Sequence, residues 1–117
     1  MRSDRRSDSA AIRLGGPNNT VLMNLGISKY LQGDYAAAID ALDRALALNP
    51  GRVHRLMVHP VRIAAYIRLG KQVEAQRERT IIDRLSPFFD AERFAEQFGT
   101  EEARRDMLAG LREAGFR

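Results

Sequence analysis

Between Asn19 and Pro50 the apolar residues recur every three or four positions in two blocks separated by Gly33-Asp34, and this spacing constrains the chain more than any other feature. Leu22, Leu25, Gly26 and Tyr30 form one stripe, and Tyr35, Ala38, Ile39, Leu42, Ala45 and Leu46 form the next. A recurrence near 3.6 residues puts each set on one side of a helix, whereas a half-buried strand would alternate. Asn19 or Thr20 offers a side-chain oxygen to cap the first helix. Gly33 tolerates the positive φ that ends it, and Asp34 caps the second. Two helices joined by so short a link run antiparallel, as a hairpin. Gly26, Ala38 and Ala45 on the facing stripes leave room for the two backbones to approach closely.

Leu22-x-x-Leu25-Gly26, then Gly33-Asp34-Tyr35, Ala38-Ile39-x-x-Leu42-x-x-Ala45-Leu46 and Asn49-Pro50 resemble a tetratricopeptide repeat. Two positions depart from it: Leu22 stands where the family prefers Trp, and Lys29 where it prefers Tyr, with Tyr30 one place later. The next stretch follows the design less closely. Ala65-Tyr66-x-x-Leu69-Gly70-Lys71 mirrors the first turn, Ala75 mirrors Ala38, and Leu85-Ser86-Pro87 mirrors Leu48-Asn49-Pro50, at a period of 37 residues. The extra residues fall near His54, His59 and Pro60. Because proline has no N–H and clashes with the preceding turn, the helix over 53–69 is either kinked near His59 or begins at Pro60. Arg62 lies where the family buries an apolar side chain.

After Pro87 come an Asp90 cap, a short helix ending near Phe98-Gly99, a Thr100 cap followed by Glu101-Glu102, and a last helix ending at Ala114-Gly115. This third hairpin has one apolar side, carrying Phe94, Phe98, Met107, Leu108 and Leu111, to lay on the second. Stacked repeats need about three units, with a polar outer face on the last. The expected architecture is therefore all-α, a short right-handed α-solenoid of helical hairpins with about six helices. It divides into a mobile arm over 1–18, a repeat over 19–52, a divergent repeat over 53–87 and a capping hairpin over 88–117. The tail, Asp90-Ala91-Glu92-Arg93-Phe94 and Arg104-x-x-Met107-Leu108-x-Gly110-Leu111-Arg112-x-Ala114-Gly115, is also similar to the C-terminal repeat region of bacterial class III adenylate or guanylate cyclases. That likeness implies, as an alternative, a regulatory or oligomerising segment.

Catalytic chemistry finds little to work with. The 117 residues contain no Cys and two His, so cysteine nucleophiles and thiolate metal sites are excluded. His54 and His59 are five apart, a spacing that does not place two imidazoles on one helix face, and no metal site is expected. Gly15-Gly16 is followed by Pro17-Asn18-Asn19, not by the Lys-Ser/Thr of a phosphate loop. Arg5-Arg6-Ser7 resembles a basophilic kinase site, a triplet common by chance. The acidic pairs Asp40/Asp43, Glu74/Glu78 and Glu92/Glu96 read as solvated surface beside arginines. No enzyme and no cofactor is expected. No membrane span or secretory leader is apparent, so a soluble cytoplasmic protein is expected.

The net charge of +4 is mild, but no acid falls between Asp43 and Glu74, where six basic residues lie. Arg52, Arg55, His59 and Arg62 step by three, four and three and would share one face of an unbroken helix, as a cationic stripe for an acidic segment. Nothing suggests specific nucleic-acid recognition, since the basic segment offers one Tyr and no recognisable stacking or groove-reading motif. In the resembled family, first helices line an inner, concave surface that holds a peptide or partner domain. The expected contacts are Asn24, Ile27, Lys29 and Tyr30 from the first such helix and Arg55, His59 and Arg62 from the second. The carboxylate clamp by which some members hold a chaperone tail is incomplete: Asn24 fits, but Met23, Met57 and Val61 replace its other residues. Homo-oligomerisation through uncovered end surfaces is the competing expectation.

Overall fold

The computed structural model describes residues 18–116. Helix formation starts one residue earlier than the cap expectation. Asn18, not Asn19 or Thr20, caps α1 (Asn19–Leu31), its Oδ1 accepting from the Val21 amide at 3.0 Å. Asp34 caps α2 (Tyr35–Ala47) by accepting from the Ala37 amide at 3.2 Å. The turn between them is closed by the Asp34 amide donating to the Lys29 carbonyl and the Gly33 amide to Tyr30. This closure needs positive φ at its centre, and Gly33 sits at +83°. The second hairpin, α3 (Arg52–Arg68) and α4 (Gln72–Leu85), closes identically: Lys71 donates to Tyr66, Gly70 to Ile67, and Gly70 has φ +75°.

The 37-residue period is absorbed as helix. α3 has 17 residues against 13 in α1, about one extra turn at its start. It does not begin at Pro60 but runs through it, so the Leu56 carbonyl forgoes the amide that a helix normally offers it four residues on. The helix survives because tertiary packing surrounds it. α3 lies against α1, α2, α4 and α6, and buries Val58, Val61, Ile63, Ala64, Ala65 and Ile67 along with His59 and Pro60. A helix apolar on nearly every side is a central one.

The last two helices start at the caps the sequence offers, but the first of them stops at Ala95, short of the expected end near Phe98-Gly99. Asp90 caps α5 (Ala91–Ala95) through the Arg93 amide, and Thr100 caps α6 (Glu101–Glu113) through the Ala103 amide at 3.0 Å. Phe89, Phe94, Phe98 and Phe116 form a chain of tilted and edge-on rings with centroids 5.1–5.8 Å apart, tying the α4–α5 link to the end of α6. Among the described residues the chain is six helices and no strand, a tetratricopeptide-like helical repeat fold. Among the described residues no helix is long and apolar enough to cross a membrane. The arm expected over 1–18 lies outside the described residues except for its last, Asn18.

Within the first hairpin the small-residue argument holds at its tightest point. A Cβ added to Gly26 would fall 2.4 Å from Leu42 Cδ2 and 3.3 Å from the Ala38 carbonyl oxygen. Leu25 departs from its expected stripe and is 41% exposed, while Leu22, Gly26 and Tyr30 are buried. The burying partners of α1 are α2 and α3, and Leu25 lies on the flank turned away from both.

Candidate partner-binding surface

α6 packs along α3, the first helix of the second hairpin, and meets α1 at Tyr30. Its line of residues four apart, Asp106, Gly110 and Ala114, meets the rest of the chain at three levels. At the first, Tyr30 Oη of α1 donates to Asp106 Oδ2 at 2.7 Å, and Arg68 Nη2 of α3 donates to Asp106 Oδ1 and, at 3.0 Å, to the Asp106 carbonyl. At the second, a Cβ on Gly110 would stand 3.1 Å from the Ala64 Cβ and 3.3 Å from its Cα, so the helices pass nearly in backbone contact. At the third, the Ala114 carbonyl at the end of α6 accepts from Gln76 Nε2 at 3.0 Å and Arg79 Nη1 at 3.3 Å, both on α4. Met107 and Leu111 are fully buried beside this line. Ala64 stands one 37-residue period after Ile27, so α6 rests on the surface where first-helix contacts were expected.

Burial pushes the Tyr30 phenol well above its ordinary pKa, helped by the adjoining Asp106 carboxylate. It is therefore a donor throughout the neutral range. At 2% exposure Tyr30 is a core residue anchoring α6 and not, as expected from sequence, an open contact.

The cationic stripe is real in register and misplaced in setting. With α3 unbroken, Arg52, Arg55, His59 and Arg62 do share a face, but its His59–Arg62 end is turned into the joint between α2 and α4 while Arg52 stays exposed. His59, 6% exposed, donates from Nδ1 to Glu78 Oε1 of α4 at 2.6 Å. Arg62 Nη2 pairs with Asp43 Oδ1 of α2 at 3.0 Å and donates to Tyr66 Oη at 2.9 Å, while its Nε lies 3.6 Å from Glu78 Oε1. Arg52 donates to the Leu85 carbonyl at the end of α4, and Arg55 to Asn49 Oδ1. The stretch without acids finds its acids on neighbouring helices. His59, hydrogen-bonded, and Arg62, ion-paired, are thus joint residues, a correction to the expected open stripe. His54 is half-buried, with Nε2 2.8 Å from Thr20 Oγ1, so the two imidazoles occupy unrelated sites.

Of the remaining expected contacts, Asn24 is exposed, and Ile27, Lys29 and Arg55 are half-buried. Asn24 and Lys29, five positions apart on one helix, point about 140° from each other and cannot share a patch. Ile27 lies about 60° round α1 from Tyr30, the residue that meets α6, and Asn24 about 60° farther. Sequence reasoning did not single out Asp106, Arg68, Gln76 or Arg79. Gly110 carried a usable signal: a glycine inside an otherwise helical run between Met107 and Leu111 marks close approach, the logic applied to Gly26. An apolar cleft of about 370 Å³ lies at the other end of α3, between Val53, Leu56, Met57, Phe88, Phe89 and Phe94, where Phe88 is 93% exposed.

Comparison with known proteins agrees with the first hairpin and adds nothing for the tail. No curated protein and no solved structure matches the chain, and the likeness of residues 90–115 to cyclase C-terminal repeats has no match behind it. Residues 20–52, which span α1, the Gly33 turn, α2 and the start of α3, match the tetratricopeptide repeat family, so the chain carries a tetratricopeptide repeat.

Proposed function

We propose that this protein is a non-catalytic protein–protein interaction module that holds a partner segment along the surface formed by α1 and α3. The tetratricopeptide repeat supports the interaction role, since repeats of this family serve as interaction modules. The single observation that carries the choice of surface is α6 itself, a helix of 13 residues already held there by a carboxylate anchor, a glycine crossing and a carbonyl anchor. Ile27 and, farther round the helix, Asn24 follow Tyr30 on the side of α1 assigned to that surface. Arg68 gives it a preference for an acidic group in the ligand.

The test is site-specific photo-crosslinking with the full chain. A photoreactive residue at Asn24 captures a distinct partner, and the same residue at exposed Thr80 on α4 does not. Equal capture at both positions overturns the choice of surface. Absence of any saturable partner at either position removes the interaction reading.

A second reading is favoured by one observation. Val21 and Leu25 are 48% and 41% exposed on the flank of α1 that α2 and α3 leave open. Self-association through that end face predicts a concentration-dependent mass in sedimentation that Leu25→Glu abolishes. A monomer at all concentrations removes it.

A further inference from the structure

Every feature that holds α6 reads as recognition of a helix by its pattern. We infer that the surface beneath α6 is a binding site for an amphipathic helix of another protein, with α6 as its resident occupant in cis. This rests on the interaction-module reading and deepens it by naming the ligand class. The ligand presents a carboxylate, a glycine or alanine four residues later, and apolar side chains at the following position of each turn. α6 spells this as Asp106-Met107-x-x-Gly110-Leu111-x-x-Ala114.

The site discriminates at each level. Arg68 and the Tyr30 hydroxyl converge on one carboxylate, Arg68 on Oδ1 and Tyr30 on Oδ2, so an amide in its place loses the charge-assisted bond to Arg68. At the crossing a hydrogen fits without displacement, a methyl requires Ala64 to give, since a Cβ stands 3.1 Å from its side chain, and anything larger is excluded. Gln76 and Arg79 both donate to the final carbonyl and so read where the helix ends. The outward face of α6, with Glu102, Arg105, Ala109, Arg112 and Glu113 exposed, makes no such demand and is free to differ in a partner.

Seated, α6 buries Met107 and Leu111 against the core, while the Arg68 and Asp106 side chains of its first anchor are 27% and 39% exposed. α6 follows a five-residue helix and the short link from Glu96 to Thr100. A partner helix with the same pattern therefore competes with α6 for one surface, and the free chain is self-occupied. The competition lowers apparent affinity by the fraction of time α6 is seated.

The test uses the full chain and a fluorescent synthetic peptide of residues 99–116. Unseating the resident helix by Gly110→Leu is expected to tighten peptide binding at least tenfold over the parent chain. Adding Arg68→Glu to that variant reverses the gain, and a peptide bearing Asp106→Arg does not bind. Should Gly110→Leu fail to fold, as judged by loss of the helical circular dichroism of the parent, Asp106→Arg in the chain serves as the second unseated variant. Binding no tighter to the unseated variant than to the parent overturns the inference. A dimer that forms by exchange of α6 and that excess peptide cannot dissociate also overturns it, because the occupant is then a second copy. Loss of capture at Asn24 when excess peptide is present before irradiation supports it. If that partner is captured but the peptide neither binds nor displaces it, the helix-site inference fails while the interaction reading stands.

Discussion

Replacing Gly26 by alanine sets two effects of opposite sign against each other. In an exposed helix interior the change stabilises by up to about 1 kcal/mol, since glycine is the poorer helix former. Here the new methyl carbon falls 2.4 Å from Leu42 Cδ2 and 2.6 Å from Cγ, against ordinary carbon–carbon separations of roughly 3.5–4.0 Å. Leu42 is completely buried, and the Ala38 carbonyl oxygen stands 3.3 Å from the same point. Overpacking of this kind costs about 1–3 kcal/mol, and a full ångström of overlap with a pinned side chain belongs at the upper end. The net expectation is a loss of about 1–2 kcal/mol after subtracting the propensity gain. For a domain of this size that lowers Tm by roughly 5–10 °C, read by circular dichroism. Gly99→Ala, which meets nothing within 4 Å and has no positive φ, is the control and leaves Tm nearly unchanged. In a double-mutant cycle, Leu42→Ala costs less in the Gly26→Ala background than alone, by roughly 1–2 kcal/mol. A Gly26→Ala chain melting at or above the parent temperature, or strict additivity in the cycle, would refute the packing argument.

Three further outcomes follow from the ion pairs and caps. Glu78→Ala leaves His59 and Arg62 facing a buried void without their carboxylate and lowers stability by about 3 kcal/mol in urea denaturation; a change under about 1 kcal/mol contradicts a buried network. Thr100→Ala removes a cap bond worth about 1 kcal/mol and should accelerate amide exchange in α6 while leaving α1 and α2 unchanged. Because the Tyr30 pKa is raised on folding, the folded state holds its proton more tightly than the unfolded chain. That contribution is complete below the 10.0 of an ordinary phenol and is lost as pH climbs above it. Tyr30→Phe therefore lowers stability at neutral pH and flattens the alkaline decline, and an unchanged alkaline slope counts against the assignment.

The fold was legible where local chemistry and packing ask for the same residue. Gly33 and Gly70 close turns of one geometry, Asp34, Asp90 and Thr100 cap helices as their side chains permit, and Gly26 meets Leu42. The period of 37 was also legible, but its physical form was not, because helix elongation and proline interruption leave the same sequence trace. Pro60 was outweighed by the neighbours enclosing α3, which no local rule contains.

The candidate surface was less legible for a reason specific to charge. Helical spacing gave the correct face for Arg52, Arg55, His59 and Arg62, yet exposure depends on what other helices bring to that face. Asp43 and Glu78, 19 and 16 residues from Arg62, decide it. Arg68 and Asp106 are 38 residues apart and carried no local mark. Leu25 was misassigned for the converse reason: its stripe is apolar, but the described residues place no neighbour against that flank.

Amide exchange mapped on the chain with its captured partner bound is the most direct test of the central claim. The account predicts slowed exchange in α1 and α3 together with faster exchange in α6 as it leaves the surface. Slowed exchange confined to the Val21–Leu25 flank or to the outer side of α4, with α6 as protected as in the free chain, would contradict it.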